Sequence, residues 1–278
     1  SKCCPEPAAT PFARERPRLS VLQIEEAGGC PSMPAQAGVD VKAAYLATHD
    51  GVMVYDASRI NTPGAHCFDP DYWSGHADVL PVPGGRARVL RIVQPGQDWI
   101  LRHFHRGGWM GAITADRYLW TGLARSRPWR EWHLLYDLYR AGFPVPRPIA
   151  ARVQRIQRWW YRADLISEWV DGEPLSVILR RAVVPQRLWY RIGVQIRRFH
   201  QAGIYHADLN LDNILIEPDQ RVCLLDFDKS GRRPPRASWQ RANLRRLQRS
   251  LLKAQVRTPD LAFSAGDWDE LLSGYAEG

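Results

Sequence analysis

Between Tyr205 and Gly231 the chain reads YHADLNLDNILIEPDQRVCLLDFDKSG, five Asp and two Asn within 27 residues. Short acidic and amide side chains are set between runs of Ile, Leu, Val and Phe, a pattern of strands and turns rather than of a solvated loop. His206, Asp208 and Asn213 are expected on a loop that follows a helix ending at Gly203 and is closed by the short strand ILI. A second strand, VCLLDF, ends on Asp226. This spacing brings three oxygen-bearing side chains, Asp208, Asn213 and Asp226, to adjacent ends of a hairpin. Two hard oxygen ligands plus a free carboxylate suit Mg2+ holding nucleotide phosphates. The plainer alternative is a set of Asp and Asn turns capping an ordinary hairpin.

The elements that must position these residues change character along the chain. Residues 1–40 are rich in Pro, Ala and Gly without periodicity, and are expected to be a disordered extension or to follow a start placed too early. Short strands are expected over residues 51–60 and 88–93, and a clearer one over DWILRHF, Asp98 to Phe104. From Pro128, PWREWHLLYDLYRAG reads as a helix, with Trp132, Leu135, Tyr136 and Tyr139 at three- and four-residue steps and Gly142 as its stop. FPVPRPIAARV leads extended chain into a strand, and RWWYRADLISEWV reads as two strands or one bent strand before the DGEPL turn. Helices are expected from Leu175 to about Ala182 and from Pro185 to Ala202, the second with Leu188, Ile192, Ile196 and Phe199 on one stripe. A basic amphipathic helix over Ala237 to about Val256 carries Leu244, Leu247 and Leu251 on one side. Strands dominate up to Val170 and helices after it, so a two-lobed α+β fold is expected, with residues 41–168 in one lobe and 169–278 in the other.

HADLNLDN resembles the protein-kinase catalytic loop H-R-D-x-x-x-x-N, and LLDFD resembles the strand end that carries D-F-G. The resemblance implies a protein-kinase-like fold with ATP and Mg2+ as cofactors. By it, Asp208 orients the acceptor hydroxyl or takes its proton, Asn213 and Asp226 hold the metal, and His206 is structural. The strand DWILRHF then stands where a phosphate-binding Lys is expected, and REWHLL opens the helix that carries its acidic partner, which gives Arg102 and Glu131. No Lys occurs between Lys42 and Lys229, so that cation has to be an Arg. Arg is a planar fork and Lys a compact point charge. Two readings follow: Arg102 does the work of the Lys, or it is an exposed strand residue and activity is lost. The placing of Glu131 on a helix favours the first. PVPGGRARVLRI offers Gly84 and Gly85 as a phosphate-approaching turn, or as a plain hairpin turn. Asn210 replaces the Lys two residues after the catalytic Asp, Asp228 replaces the Gly of D-F-G, and no A-P-E segment follows; these departures point away from protein substrates.

ILRHFHRGGWMG, DRYLWTGLARSRPWREWHLL, AGFPVPRPIAARV and YHADLNLDNILI with VCLLDFDKS together resemble the 3-deoxy-D-manno-octulosonic acid (Kdo) kinases of Gram-negative bacteria, over roughly residues 50–275. That likeness implies transfer of the ATP γ-phosphate to a Kdo hydroxyl, the 4-position in that family, on a Kdo-bearing lipid A precursor. It implies a role in lipopolysaccharide inner-core assembly and a peripheral position at the cytoplasmic face of the inner membrane. A heptose or aminoglycoside kinase, and a pseudokinase that binds glycolipid or nucleotide, are the competing readings.

The net charge is +9, almost all of the positive charge from Arg. Such basicity suits an anionic, phosphorylated acceptor. Arg102, His103, His105 and Arg106, and the helix bearing Arg241, Arg245, Arg246 and Arg249, are candidate contacts for it. The segment Trp109 to Trp120 is expected to pack under the Glu131 helix, with contact at a membrane interface as the alternative. No nucleic-acid module is recognisable and no protein partner is expected. Five Cys without paired spacing argue against disulfides or zinc, and His103 with His105 are expected to be strand residues rather than metal ligands. No apolar run approaches the ~18–20 residues of a membrane span, and the N-terminus lacks a secretory signal, so a cytoplasmic chain is expected.

Overall fold

The computed structural model describes residues 40–82, 89–105 and 116–278. Of the expected N-terminal extension all but Asp40 lies outside the described residues, as do Gly84, Gly85, Arg106 and the segment from Trp109 to residue 115.

Eight strands form one antiparallel sheet in the order β1-β2-β7-β8-β5-β4-β3, with β6 also paired to β8. They are β1 (Ala43–Thr48), β2 (Gly51–Asp56), β3 (Asp78–Pro81), β4 (Val89–Gln94), β5 (Gln97–His103), β6 (Tyr118–Leu119), β7 (Pro148–Ile156) and β8 (Trp160–Glu168). The segment expected as two strands or one bent strand is a single strand, β8, paired along its length with β7. Alternation along β5 divides the side chains between two faces. Trp99 and Leu101 join Met53, Ile92 and Ile166 in a cluster covered by the short helix α1 (Pro70–Ser74) and its Trp73. Arg102 and Phe104 look the other way, the guanidinium lying 4.6 Å from the Phe104 ring centre.

That second face is covered by α2 (Arg127–Arg140). Its Trp132, Leu134, Leu135 and Leu138 are buried against Val54, Ala151, Val153, Ala163 and Leu165 of the sheet. Full burial of such side chains contributes about 1.5–3 kcal/mol each, which decides how α2 lies and so where Glu131 points. In the described end of the aromatic segment, Tyr118 is buried and Trp120 is packed against the same cluster.

The rest of the chain is mainly helical: α3 (Leu175–Ile178), α4 (Gln186–Gln201), α5 (Ala237–Arg257) and α6 (Ala265–Glu277). The helix expected over 175–182 is shorter. After Ile178 the bonding is mixed: Arg180 N–H to Val177 O (3.3 Å) and Arg181 N–H to Ile178 O (3.1 Å) run to the third residue back, while Ala182 N–H to Ile178 O (3.0 Å) runs to the fourth. The helix therefore gives way to tighter turns. In α4, Leu188, Ile192, Ile196 and Phe199 are buried, and in α5 so are Leu244, Leu247 and Leu251. Helix α6, absent from the expected elements, opens on a capping box between Ser264 and Asp267. It lies so close to α4 that a Cβ on Gly193 would stand 2.0 Å from Leu271 O, and one on Gly274 2.1 Å from Tyr190 O.

Short strands complete this part: β9 (Glu173–Pro174), β10 (Ile204–Tyr205), β11 (Ile214–Ile216), β12 (Val222–Leu224) and β13 (Gly231–Arg232). β11 pairs with both β12 and β9, and β10 with β13. Cys67 and Cys223 are buried free thiols. No helix among the described residues is long and apolar enough to cross a membrane.

Candidate active site

Arg102 sits on β5 opposite Leu165 of β8, with its side chain toward α2. Its Nη2 donates to Glu131 Oε2, and its Nη1 donates to Asp226 Oδ1 at 2.5 Å. One guanidinium thus joins the sheet, α2 and the end of the β11–β12 hairpin. Side-chain exposure grades across the bridge: 2% for Glu131, 20% for Arg102 and 40% for Asp226. The acid on α2 is sealed in, and Asp226 keeps contact with solvent. The reading of Arg102 as an exposed strand residue is therefore overturned.

The electrostatics follow from this gradient. Burial pushes the Glu131 carboxyl up to about 7; Arg102 opposes the shift, and the nearby Asp226 and Asp228 carboxylates add to it. Burial also works against the charge on Arg102, but Glu131 and Asp226 more than offset it and hold the guanidinium protonated. At Asp226, burial disfavours the anion, and the charge and hydrogen bond of Arg102 outweigh it, holding the carboxyl below its usual range. Asp226 has φ +57°, an uncommon conformation for a non-glycine residue that turns the chain sharply at the strand end.

A second bridge runs beside the first. Arg127, at the start of α2, donates from Nε to Asp228 Oδ1 at 2.8 Å and from Nη2 to Oδ2. Its guanidinium also lies over the rings of Tyr118 and Phe104. The N-terminal half of α2 is thereby fastened to both acids of LLDFD, Glu131 through Arg102 and Arg127 directly.

The loop that carries Asp208 is braced from three sides. His206 Nε2 donates to Leu225 O at 2.9 Å, and its Nδ1 accepts the Asp208 N–H at 3.3 Å. These partners assign the proton to Nε2. Burial lowers the His206 pKa, so the ring is neutral and structural. Leu225 N–H donates to Asn213 O at 3.0 Å, which links the loop to the residue before Asp226. Phe227 packs on both His206 and Phe199. Asn210 Oδ1 accepts from the Asp212 and Asn213 N–H groups, closing the turn after Asp208. Asn213 Nδ2 donates to Asp208 O at 2.8 Å. Asp208 itself receives Arg246 Nη1 of α5 on its Oδ1 at 2.8 Å.

Behind the loop lies a buried polar chain. Tyr275 of α6 meets His200 Nδ1, His200 Nε2 meets Asn243 Oδ1, and Asn243 bonds both the N–H and the C=O of His206. Burial pushes the His200 pKa down to about 4, the Asn243 hydrogen bond opposes this, and the ring is neutral at pH 7.

Glu131, Arg102 and Asp226 are joined side chain to side chain, and Asp208 and Asn213 are joined through the loop backbone. Gly84 and Gly85 lie outside the described residues. Arg102 is corrected as an acceptor-binding surface residue because it is committed to the two acids. His103 is corrected likewise: its Nδ1 bonds Asp164 Oδ1, and Asp164 also takes Arg152. Among the described residues no three His, Cys, Asp or Glu side chains are grouped to hold a metal. The pair Asn213 and Asp226 nevertheless fits Mg2+, which binds through one or two protein oxygens plus phosphates and water. Asn213 Nδ2 and Asp226 Oδ1 are engaged, which leaves Asn213 Oδ1 and Asp226 Oδ2 as oxygen donors.

Sequence reasoning missed Arg127 and the partners that α5 gives the loop. An acid at the D-F-G glycine position was a signal for the first, since a partly buried carboxylate demands a cation. Nothing in the sequence fixes the register of α5 against the loop.

A sheet-borne cation held by a helix-borne acid and bonded to an Asp at a hairpin end, next to an Asp-bearing loop tied to that hairpin by backbone, is the arrangement of a protein-kinase-like phosphotransferase. A sequence model of the lipopolysaccharide kinase (Kdo/WaaP) family matches residues 70–275, and the chain belongs to that family. It is similar to the 3-deoxy-D-manno-octulosonic acid kinase of Mannheimia succiniciproducens, 38% identical over 80% of this chain and 93% of the relative. The enzymes of the same name from Vibrio vulnificus and Haemophilus influenzae are 36% and 35% identical, over 80% of this chain and 93% and 95% of theirs. The chain is a kinase with an alcohol group as acceptor.

Proposed function

We propose that this kinase phosphorylates a Kdo hydroxyl, the 4-position, on a Kdo-bearing lipid A precursor during lipopolysaccharide inner-core assembly. The names of its relatives support Kdo as the acceptor sugar. The acceptor oxygen bonds to the γ-phosphorus as the bond to the β–γ bridging oxygen breaks; ADP leaves with that electron pair. Asp208 orients the hydroxyl and takes its proton. Arg102 offsets charge on the ATP phosphates, with Glu131 fixing its direction. Asn213 and Asp226 are the residues that hold Mg2+, which when bound neutralises phosphate charge. The observation that carries this reading is the Arg102 bridge, because it keeps a permanent cation beside the ionised acid proposed to bind the metal. Work on a glycolipid agrees with a peripheral place at the cytoplasmic face of the inner membrane.

The test is incubation with Mg-ATP and Kdo-bearing lipid A precursor, followed by mass analysis and assignment of the phosphorylated carbon by NMR. One added phosphate on C4 of Kdo is the expected product. Transfer to a heptose acceptor and not to Kdo would overturn the assignment.

A further inference from the structure

The loop from His206 to Asn213 contains no Lys or Arg. Asn210 is consumed in closing the turn, with Oδ1 on two backbone N–H groups and Nδ2 on Asp208 O. Phosphoryl transfer spreads negative charge over the equatorial oxygens, and positioned cations are the protein's main means of stabilising it. Arg102, assigned above to the ATP phosphates, is held by Glu131 and Asp226 and has no bond to Asp208 among the described residues. A cation beside Asp208 must come from elsewhere in the chain.

Helix α5 supplies one. Asn243, Arg246 and Ser250 lie three and four residues apart, on one stripe of the helix. They meet the loop in succession: Asn243 at His206, Arg246 at Asp208, and Ser250 Oγ at the Leu211 N–H, 3.4 Å away. Asn243 is buried, whereas the Arg246 and Asp208 side chains keep 44% and 53% exposure. An ion pair so open to water adds little to folding stability, and the loop is already anchored through Asn243. A guanidinium has five N–H donors, and among the described residues Arg246 uses one hydrogen bond, to Asp208 Oδ1. That leaves Asp208 Oδ2 for the acceptor proton.

We propose that Arg246 is a positioning residue of the transfer step: it fixes Asp208 with one nitrogen and turns its remaining N–H groups toward the phosphoryl in flight. This rests on the kinase reading above. In the step itself the acceptor oxygen bonds phosphorus, the bridging oxygen leaves with ADP, and the acceptor proton passes to Asp208. Arg246 neither gains nor loses a proton. A basic residue carried by the long helix α5 replaces a cation that the loop lacks.

The experiment compares wild type, R246A and R246K in the full chain for kcat, KM for ATP, melting temperature, and affinity for ADP with Mg2+ and aluminium fluoride. R246A is expected to lose roughly 10²–10³ in kcat, the loss from removing one charge-stabilising donor. Its KM for ATP and melting temperature stay close to wild type, and its affinity for the aluminium fluoride complex falls with kcat. R246K recovers part of the loss, because charge returns without the fork. A kcat in R246A within about threefold of wild type overturns the proposal. So does a loss that tracks a fall in melting temperature and leaves aluminium fluoride affinity unchanged. A wild type that leaves the Kdo acceptor unphosphorylated counts against the acceptor reading alone. Arg246 is then judged on ATP hydrolysis with water as acceptor, where equal rates in wild type and R246A overturn it.

Discussion

Arg102 donates to Asp226 at 2.5 Å across 124 residues of sequence, and its other terminal nitrogen is held by Glu131. Sheet, helix α2 and hairpin end are therefore set relative to one another by a single side chain. Replacing it by Ala leaves Glu131 buried without its cation. Breaking such a pair costs about 3 kcal/mol, near the low end for buried pairs because the acid can take up a proton. R102K keeps the charge and loses the fork, so it serves one acid at a time. The order of kcat is expected to be wild type, then R102K, then R102A, with urea midpoints in the same order. R102K at wild-type turnover would show that the two-acid bridge is dispensable.

Arg127 and Asp228 form the parallel bridge, and both its ends are partly buried, with 24% and 15% side-chain exposure. Geometry of this bidentate kind couples two positions strongly. A double-mutant cycle of R127A and D228A is expected to give a coupling energy of about 1–3 kcal/mol in unfolding. Additive losses would mean that the contact contributes nothing to holding α2 on the LLDFD strand end.

Glu131 titrates at about 7 against an ordinary value of 4.5. The folded protein binds this proton more tightly than the unfolded chain does. The contribution of this group to stability is therefore full at pH below 4.5 and is lost as pH rises through about 7. Activity runs the other way, because protonation of Glu131 releases Arg102. Turnover at saturating ATP is expected to fall as pH drops through about 7, and E131Q is expected to lack that limb at a lower plateau. The profile of kcat against pH for the two proteins is the check; an E131Q profile retaining the same acid limb assigns it to another group.

The contact of α4 with α6 depends on Gly193, where a Cβ would stand 2.0 Å from Leu271 O. The obstacle is backbone, which cannot rotate away. G193A is expected to cost about 1–3 kcal/mol through overpacking, read as a fall in urea midpoint. An unchanged midpoint would show that the two helices separate without cost.

The sequence alone carries much of this architecture. Period-two and helical patterns placed β5, α2, α4 and α5, because each buries one face and leaves the other wet. That Asp208 and Asn213 share one loop, and that Asp226 ends the hairpin after it, could be read from spacing local to that stretch. Arg102 and Glu131 were found by analogy with a kinase strand and helix, and their bridge needed the tertiary structure, being made across the fold. Helix α6 was missed although Ser264 and Asp267 carry a capping signature, since its apolar face is only lightly periodic. Strands β9, β10 and β13 were missed because two-residue pairings have no pattern of their own. The Arg246 contact depends on helix register against a loop 38 residues away, which no local signal encodes.

In the proposed reaction Asp208 takes the acceptor proton. The direct measurement is kcat for D208N on Kdo-bearing lipid A precursor, alongside its affinity for ATP. A loss of roughly 10²–10⁴-fold in kcat is expected, the contribution of a positioned general base, with ATP affinity close to wild type. Turnover by D208N within about threefold of wild type would contradict it.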